Sequence, residues 1–449
     1  MTKEIAQIEF PCTQPPADGP AARLIGLYPQ RQPGLWMQRV KVLGGRMTGA
    51  QWCALGRIAQ RFTPSTPLHL TTRQDVEFHN LSPEVLPAAQ AAIAEAGLSA
   101  VGAGGDTIRN ITVCACSGAR SGSVDLMPLA GSIQRLLEGT EGIYALPRKF
   151  KIALACSDAC GQPWLHDLAL VARRREGRWG LQVVGAGSMG ARPATGIVWF
   201  DWLPASDVLP LVAGAVDLFA THGDRANRAL ARLRHVRQRV GDQAFLVLVR
   251  QALERAQKRD SWPEVYLEET AQGFEASVTL TFLNGDLHPP AAEALGDLAE
   301  RDDVRVRIAP QHRVVVFGRS NDLLHERLAA HEVLAKPSQP APAIVACPGK
   351  TWCRRGLTDT RRLAERLARE WADLPPGLTV AISGCPNGCA HSAVADIGLV
   401  GRIVTHEGAK REAFDLRVGG GMGRNDRLAT LVAKGLDLFG DIEPPLPSA

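Results

Sequence analysis

The chain has 449 residues, 45% of them hydrophobic and 22% charged, and a net charge of +5. That length predicts two to four domains, the composition is ordinary for a globular protein, and the charge is too mild to specify a partner. No apolar run is long enough for a membrane span, no basic tract with interleaved aromatics marks a nucleic-acid binder, and MTKEIAQIEFPCTQPPADGP at the start lacks the basic and apolar regions of a secretory signal. A cytoplasmic protein that engages neither membrane nor nucleic acid is expected.

Near residue 36, WMQRVKVLGGRMT reads as a strand and a glycine turn. TGAQWCALGRIAQRF then reads as a helix, opened by a capping box of Thr48 and Gln51. Its apolar face is Leu55, Ile58, Ala59 and Phe62. A strand pair comes next in LHLTT and VEFHN. The second helix covers SPEVLPAAQAAIAEAG, with Ser82 as N-cap, Pro83 at the first helical position and Gly97 as its stop. Much later the same order returns. ASVTLTFLNGDLH carries Gly285 where Gly45 stands, and Leu295, Leu298 and Ala299 repeat Leu55, Ile58 and Ala59. VRVRIA and RVVVFG repeat the strand pair, and NDLLHERLAAHEV repeats the second helix. Each unit reads as β-α-β-β-α, a small sheet with helices on one face.

The segments beyond the two units repeat as well. Cys116 precedes Cys156 and Cys160, as Cys347 and Cys353 precede Cys385 and Cys389, and LQVVGAGSMGAR is echoed by LRVGGGMGRN. Matches kept in one order predict an internal duplication. Residues 200–262 read as helices to which no chemistry attaches, and KPSQPAPA, residues 336–343, reads as a linker.

Of ten cysteines, Cys12 and Cys53 stand alone and the rest fall in pairs. In a reducing compartment such pairs point to metal ligands rather than disulfides. Cys347-PGKTW-Cys353 and Cys385-PNG-Cys389 flank a helix, TDTRRLAERLAREW, with Leu363, Leu367 and Trp371 on one face. That helix would return the chain so that four thiolates converge on a [4Fe–4S] cubane. A zinc ribbon favours C-x2-C pairs and fits the spacing worse. In the first half the counterpart of Cys353 is missing. A second cluster there would need Cys114 as a substitute, and buried packing thiols left in a lobe without a cluster are the preferred reading. Gly185-AGSM-Gly190 fits G-x-G-x-x-G, yet no helix or suitably placed acid comes after it. A structural loop shared by both halves is expected instead.

From about Gly34 onward, TTRQDVEFH, GDTIRN, LPRKFK, the C-x5-C and SGCPNGCAH resemble the siroheme-containing sulfite and nitrite reductases. The resemblance implies an α+β fold duplicated internally, with two ferredoxin-like half-domains and two α/β siroheme- and cluster-binding lobes. The expected boundaries are 1–104 for an N-terminal segment and the first half-domain, and 105–262 for the first siroheme-binding lobe. The second half-domain is then 263–335, and 336–449 is the [4Fe–4S] and siroheme lobe. The resemblance places siroheme beside the cluster, bridged to it by the Cys389 thiolate. It makes Arg73, Arg109, Lys149 and Lys151 the cations that hold an oxyanion and serve catalysis. Arg73, Gln74, Arg109, Asn110 and Arg148 are implied as siroheme contacts.

The implied reaction is the six-electron reduction of sulfite to sulfide. No flavin domain or NADPH site is seen, so electrons come from a separate ferredoxin or flavoprotein reductase. Plant-type nitrite reductases resembling this chain carry Asn where Lys151 stands, and a second cation suits a larger dianion. Some sulfite reductases carry, just before the Gly-Asp of this region, a Cys cross-linked to a Tyr; Gly104 stands there, so the cross-link is expected to be absent. Ammonia-forming nitrite reduction is the alternative on the same scaffold. Precorrin-3B synthase fits less well because LPRKFK and TTRQ are complete. A non-catalytic, cluster-bearing electron-transfer protein would leave the four cations unexplained.

Overall fold

The fold is drawn from a computed structural model that describes residues 9–14, 17–259, 261–335, 343–375 and 377–439. The expected linker, apart from Ala343, lies outside the described residues, as do the first eight residues.

The helix Gly49–Phe62 starts on the expected capping box, with the Thr48 hydroxyl accepting from Gln51 N–H and the Gln51 side chain accepting from Thr48 N–H. It buries Leu55, Ile58 and Ala59. The second helix begins differently. A tight 3-10 turn, Pro83–Val85, precedes the helix Leu86–Glu95, and Ser82 does not cap it. The Ser82 hydroxyl is taken by the Glu84 carboxylate instead. Gly97 ends the helix at φ +69°, where a residue without Cβ is at ease.

The first small sheet runs Leu27–Pro29, Trp36–Val40, Val76–Leu81, Leu68–Leu70, all antiparallel. Its last neighbour, Asp286–Leu287, comes from the second unit. The second unit's own sheet is Ala276–Thr281, Arg313–Gly318, Val304–Ala309. The helices Gly49–Phe62 and Pro289–Ala299 then pack across the two units. A Cβ on Gly296 would meet Cys53 Sγ at 2.4 Å and the Gly49 carbonyl at 2.8 Å, so the crossing depends on bare backbone.

The two larger lobes share one topology. In the first, Thr112–Val113, Ile152–Ala155 and Leu168–Arg175 are parallel neighbours, and Arg178–Gly185 and Ile197–Pro204 extend the sheet antiparallel. In the second, Ala343–Ala346, Thr379–Ser383 and Ile397–His406 are parallel, followed by the antiparallel Ala409–Val418 and Thr430–Leu436. A helix joins the first two strands in each: Met127–Glu138 and Thr360–Glu370. The latter buries Leu363, Ala364 and Leu367 against its sheet, with Trp371 at its end. Residues 197–257 form a strand and three main helices, Val208–His222, Leu233–Val240 and Asp242–Gln257, that cover the first lobe.

All eight paired cysteines come after the carboxyl ends of the first two parallel strands in their lobes, where open α/β sheets bind ligands. The glycine-rich loops are exchanged between lobes. The loop after Arg178–Gly185 reaches the other lobe, where Gly190 N would lie 3.5 Å from a Cβ on Gly388. The loop after Ala409–Val418 returns the contact, with Met422 O accepting from Gln162 Nε2 (3.0 Å) and Gly423 O from Trp164 N–H (3.2 Å). A strand, Ile197–Pro204, comes after the first loop and no helix does, so G-x-G-x-x-G here builds a lobe contact. Replacing Gly296 by Val should lower unfolding free energy by about 2 kcal/mol through overpacking of the helix crossing. Urea denaturation would measure it, and an unchanged midpoint would show that the two helices part freely.

Candidate functional site

The turn between Leu68–Leu70 and Val76–Leu81 sets the first cation. Thr71 N–H donates to Asp75 O at 2.9 Å and Gln74 N–H to Thr71 O at 3.3 Å, with Gln74 at φ +63°. Arg73 is thereby raised toward the first lobe, donating to His166 Nε2 (2.7 Å) and to the Asn110 carbonyl (2.6 Å). His166 donates through Nδ1 to Gln162 O at 3.0 Å, which leaves Nε2 as the acceptor for Arg73. Burial among Arg73 and Lys151 pushes His166 well below its ordinary pKa, so it is neutral.

Arg109, Lys149 and Lys151 meet Arg73 there. Arg109 N–H donates to Phe150 O at 2.8 Å, tying the segment that carries Arg109 to the one that carries Lys149 and Lys151. Lys149, half-buried, is pushed down to about 7 by burial and by the charges of Arg232, Arg109 and Arg148, while the Cys389 thiol opposes that shift. Lys151 is pushed well down by burial, Arg73, Lys149 and Arg232, again opposed by Cys389. Burial also pulls the Arg73 guanidinium down to about 10. Thus the four expected cations and the last cysteine of SGCPNGC share one neighbourhood. Thr72 pins that cysteine from the turn, donating to Cys389 O at 3.0 Å.

Arg232 has no counterpart among the sequence motifs. It precedes the helix Leu233–Val240, is buried, and donates to Asp167 Oδ2 at 2.6 Å. The same oxygen accepts from Lys151 N–H at 2.8 Å. A signal for Asp167 did exist in the repeat, because Asp396 accepts from Thr379 N–H at 2.9 Å at the same place in the second lobe.

Gln74 and Asn110, expected as siroheme contacts, bond extensively to the backbone. Gln74 Nε2 donates to the carbonyls of Val113 (2.8 Å), Ile308 (2.7 Å) and Gly44 (3.3 Å), and its Oε1 accepts from Val113 N–H (2.9 Å). With its amide spent on backbone it is a joint between lobe and half-domains. The Asn110 amide nitrogen likewise goes to Val42 O (2.6 Å) and Arg73 O (3.1 Å), and only its Oδ1 is unpaired. Arg148 pairs with Asp106 at 3.0 Å at the rim, where Arg228 also reaches that carboxylate.

Gly104 stands against Tyr28: a Cβ there would lie 2.5 Å from the phenol oxygen and 2.1 Å from Arg23 O. The tyrosine is in place and glycine offers no sulfur to cross-link it. Arg109 and Arg39 nearby draw the phenol below its ordinary pKa against the effect of burial.

In the second lobe, Cys347 comes directly after its strand, Cys353 ends the short helix Gly349–Trp352, and Cys385 and Cys389 flank a turn with Gly388 at φ +64°. Gly384 N–H points at Cys347 Sγ at 3.2 Å. Backbone amides of Arg355 and Gly356 serve the Cys353 sulfur, and that of Asn387 serves Cys385. Burial raises Cys347, Cys353 and Cys385, and the Cys389 charge raises each further. Cys353 and Cys389 are exposed. Four soft thiols ringed by amide donors fit an iron–sulfur cluster.

The first-lobe cysteines depart from the buried packing thiols expected from the sequence. Only Cys114 is buried. The sulfurs of Cys114, Cys116 and Cys156 lie within 4.8 Å of one another.

Comparison with known proteins agrees with this geometry. The family model described as the nitrite and sulphite reductase 4Fe-4S domain matches residues 104–257 and 342–443, and the ferredoxin-like half domain of the same proteins matches 28–96. The chain belongs to the nitrite and sulphite reductase family. It is thus an oxidoreductase of the siroheme and [4Fe–4S] type, on the duplicated α+β fold that the sequence implied. The chain is 28% identical to the ferredoxin–nitrite reductase of Leptolyngbya laminosa, over 92% of this chain and 85% of that one. It is also 28% identical to sulfite reductase [ferredoxin] 2 of Mycolicibacterium paratuberculosis, over 89% and 79%. The NirA protein of Mycobacterium tuberculosis shares the fold, with a TM-score of 0.78 at 24% identity over 92% of this chain and 83% of that one. Among the described residues no helix is long and apolar enough to cross a membrane.

The residues present fit the family's cofactors. Arg73 and Arg109, both half-buried, each leave a buried Nε without a partner among the described residues, and together with Lys149, Lys151 and Arg232 they outnumber the carboxylates Asp75 and Asp167 that face them. An anionic, carboxylate-bearing group would satisfy both deficits. Asp167→Asn should cost about 3 kcal/mol or more of unfolding free energy, because Arg232 would remain buried without its counter-charge. Chemical denaturation would register the loss, and wild-type stability would show the pair to be dispensable.

Proposed function

We propose that this reductase converts sulfite to sulfide, with a [4Fe–4S] cluster on Cys347, Cys353, Cys385 and Cys389 and the Cys389 thiolate shared with siroheme. The observation that carries this reading is the meeting of Cys389 with Lys149 and Lys151 at one site. The bound cofactors supply electrons to the substrate. In the hydrogensulfite form the balance is HSO3⁻ + 6e⁻ + 6H⁺ → HS⁻ + 3H2O.

The chain's own residues hold the anion and move protons. Arg73 and Arg109 are fixed, always-charged donors for oxyanion oxygens. Lys149, drawn down to about 7, can give up a proton at neutral pH and regain it from solvent, because it is only half-buried. Arg232, held by Asp167, adds a charge that cannot leave. Arg148, at the rim, is proposed to meet a cofactor carboxylate. Two lysines beside two arginines support a dianion with three oxygens over nitrite. The family's relatives include ferredoxin-dependent enzymes of both specificities, so a ferredoxin is the proposed donor.

Steady-state turnover with reduced ferredoxin or a viologen dye should give sulfide, with a specificity constant for sulfite above that for nitrite. Lys151→Asn should depress sulfite turnover at least tenfold more than nitrite turnover. Efficient nitrite reduction without sulfide would assign ammonia formation instead. Replacing Cys389 by Ser should abolish turnover and disturb both the haem bands and the cluster signal. A variant with full activity and a normal spectrum would remove Cys389 from the bridge.

A further inference from the structure

The first lobe holds four cysteines that this reaction does not use. Cys114 and Cys116 come after the strand Thr112–Val113, and Cys156 and Cys160 after Ile152–Ala155. Cys114 Sγ and Cys156 Sγ are 3.3 Å apart, and Cys116 joins them within 4.8 Å. Cys160 Sγ contacts the Ser157 hydroxyl at 3.7 Å and the Ser157 carbonyl at 3.6 Å; it stands outside that set of three, yet near enough to Cys114 and Cys116 to interact with them and to serve as a fourth ligand. Cys156 N–H donates to Cys114 Sγ at 3.1 Å, the kind of amide contact that steadies a metal-bound thiolate.

The spacing decides what such a set can hold. Four thiolates on one tetrahedral ion with bonds of about 2.3 Å stand roughly 3.8 Å apart. Thiolates on four corners of a cubane bind four different irons and must stand further apart. The second lobe provides the internal contrast, since among the described residues no three of its cysteine sulfurs fall within the 4.8 Å that gathers the first-lobe set. The C-x-C pair, with one residue between its thiols, suits convergence on a single ion.

A second observation points to negative charge at this place. Arg307, 1% exposed, leaves Nε and Nη1 without partners and faces Cys114. Its Nη2 approaches Ser117 O at 3.5 Å, and Arg305 from the same strand donates to Gly118 O, so two arginines of the second half-domain line the cysteine loop. A buried guanidinium with unspent donors calls for an anion. Asp125 is the carboxylate nearby, already engaged by Ser117 and Met127 N–H. A divalent ion with four thiolates is a net dianion and supplies the missing charge.

We propose that Cys114, Cys116, Cys156 and Cys160 form a mononuclear tetrathiolate site for a thiophilic divalent ion, zinc or a single iron, distinct from the catalytic cofactors. Binding replaces four S–H protons by four metal–sulfur bonds, with no change of oxidation state. With no open coordination position the role is structural: the ion clamps two strand ends of the first lobe beneath the arginines of the second half-domain.

Metal and acid-labile sulfide analysis of the purified holoenzyme tests this. About one zinc beyond about five irons and four sulfides per chain is expected. A sixth iron without extra sulfide would support the same site with iron as its ion. Zinc-edge or iron-edge X-ray absorption on the wild type should show sulfur neighbours at about 2.3 Å. The double variant Cys116→Ser, Cys156→Ser should lose that ion and keep the siroheme bands. About nine irons with about eight sulfides would overturn the proposal in favour of a second cubane. So would five irons with no other metal, whether the four thiols then alkylate freely or mass analysis finds Cys114 joined to Cys156. Because siroheme and its cluster are read separately, failure here leaves the assigned reaction untouched.

Discussion

The molecule is organised around one costly arrangement, several cations held close together in a partly buried pocket with too few carboxylates. Removing an unpaired charge from water costs several kcal/mol even after relaxation, and Arg73, Arg109, Lys149, Lys151 and Arg232 add mutual repulsion to that cost. Asp167 offsets part of it through Arg232. The rest must come from anions that enter later: cofactor carboxylates, cluster thiolates and substrate. Ligands that bind only the folded state stabilise it, so cofactor insertion and folding are linked in this chain.

The cations are supplied unequally by a duplicated frame. Both lobes repeat the same strand order and directions, and both place cysteines after the same two strands. Yet the lysines belong to the first lobe and the open cysteines to the second. Specialisation of this kind is available to a repeat once one copy is free to change. Asp167 illustrates it: like Asp396 it accepts an amide at the start of its neighbouring strand, and in addition it has acquired an arginine.

Much of this was legible in the sequence, for identifiable reasons. Periodicity and capping revealed the helix Gly49–Phe62, and ordered repetition revealed the two lobes. Strings around Arg73, Arg109, Lys149 and Lys151 marked the pocket because several short motifs had to agree. What escaped lacked a local signal. Arg232 reaches the pocket from a segment with no motif, and only the fold brings it beside Asp167. Nor did the string around Gln74 reveal that its left-handed backbone directs the amide into carbonyls of three separate segments. Ser82 shows the smaller scale, where an adjacent carboxylate outcompeted helix amides for one hydroxyl. Nor does spacing along the chain reveal that Cys114 and Cys156 approach to 3.3 Å, since that depends on two strands lying side by side.

The exchanged glycine loops bear on how such a chain can be divided. Each lobe lends a loop to the cysteine-bearing side of the other, at Gly190 beside Gly388 and at Met422 and Gly423 beside Gln162 and Trp164. Cutting between the halves therefore takes from each fragment a wall of its own ligand cradle. Neither fragment would be a smaller working version of the whole, although two fragments meeting in solution could complete each other. An ancestor with a single copy would have met the same need by pairing with itself, as a symmetric dimer whose subunits traded these loops.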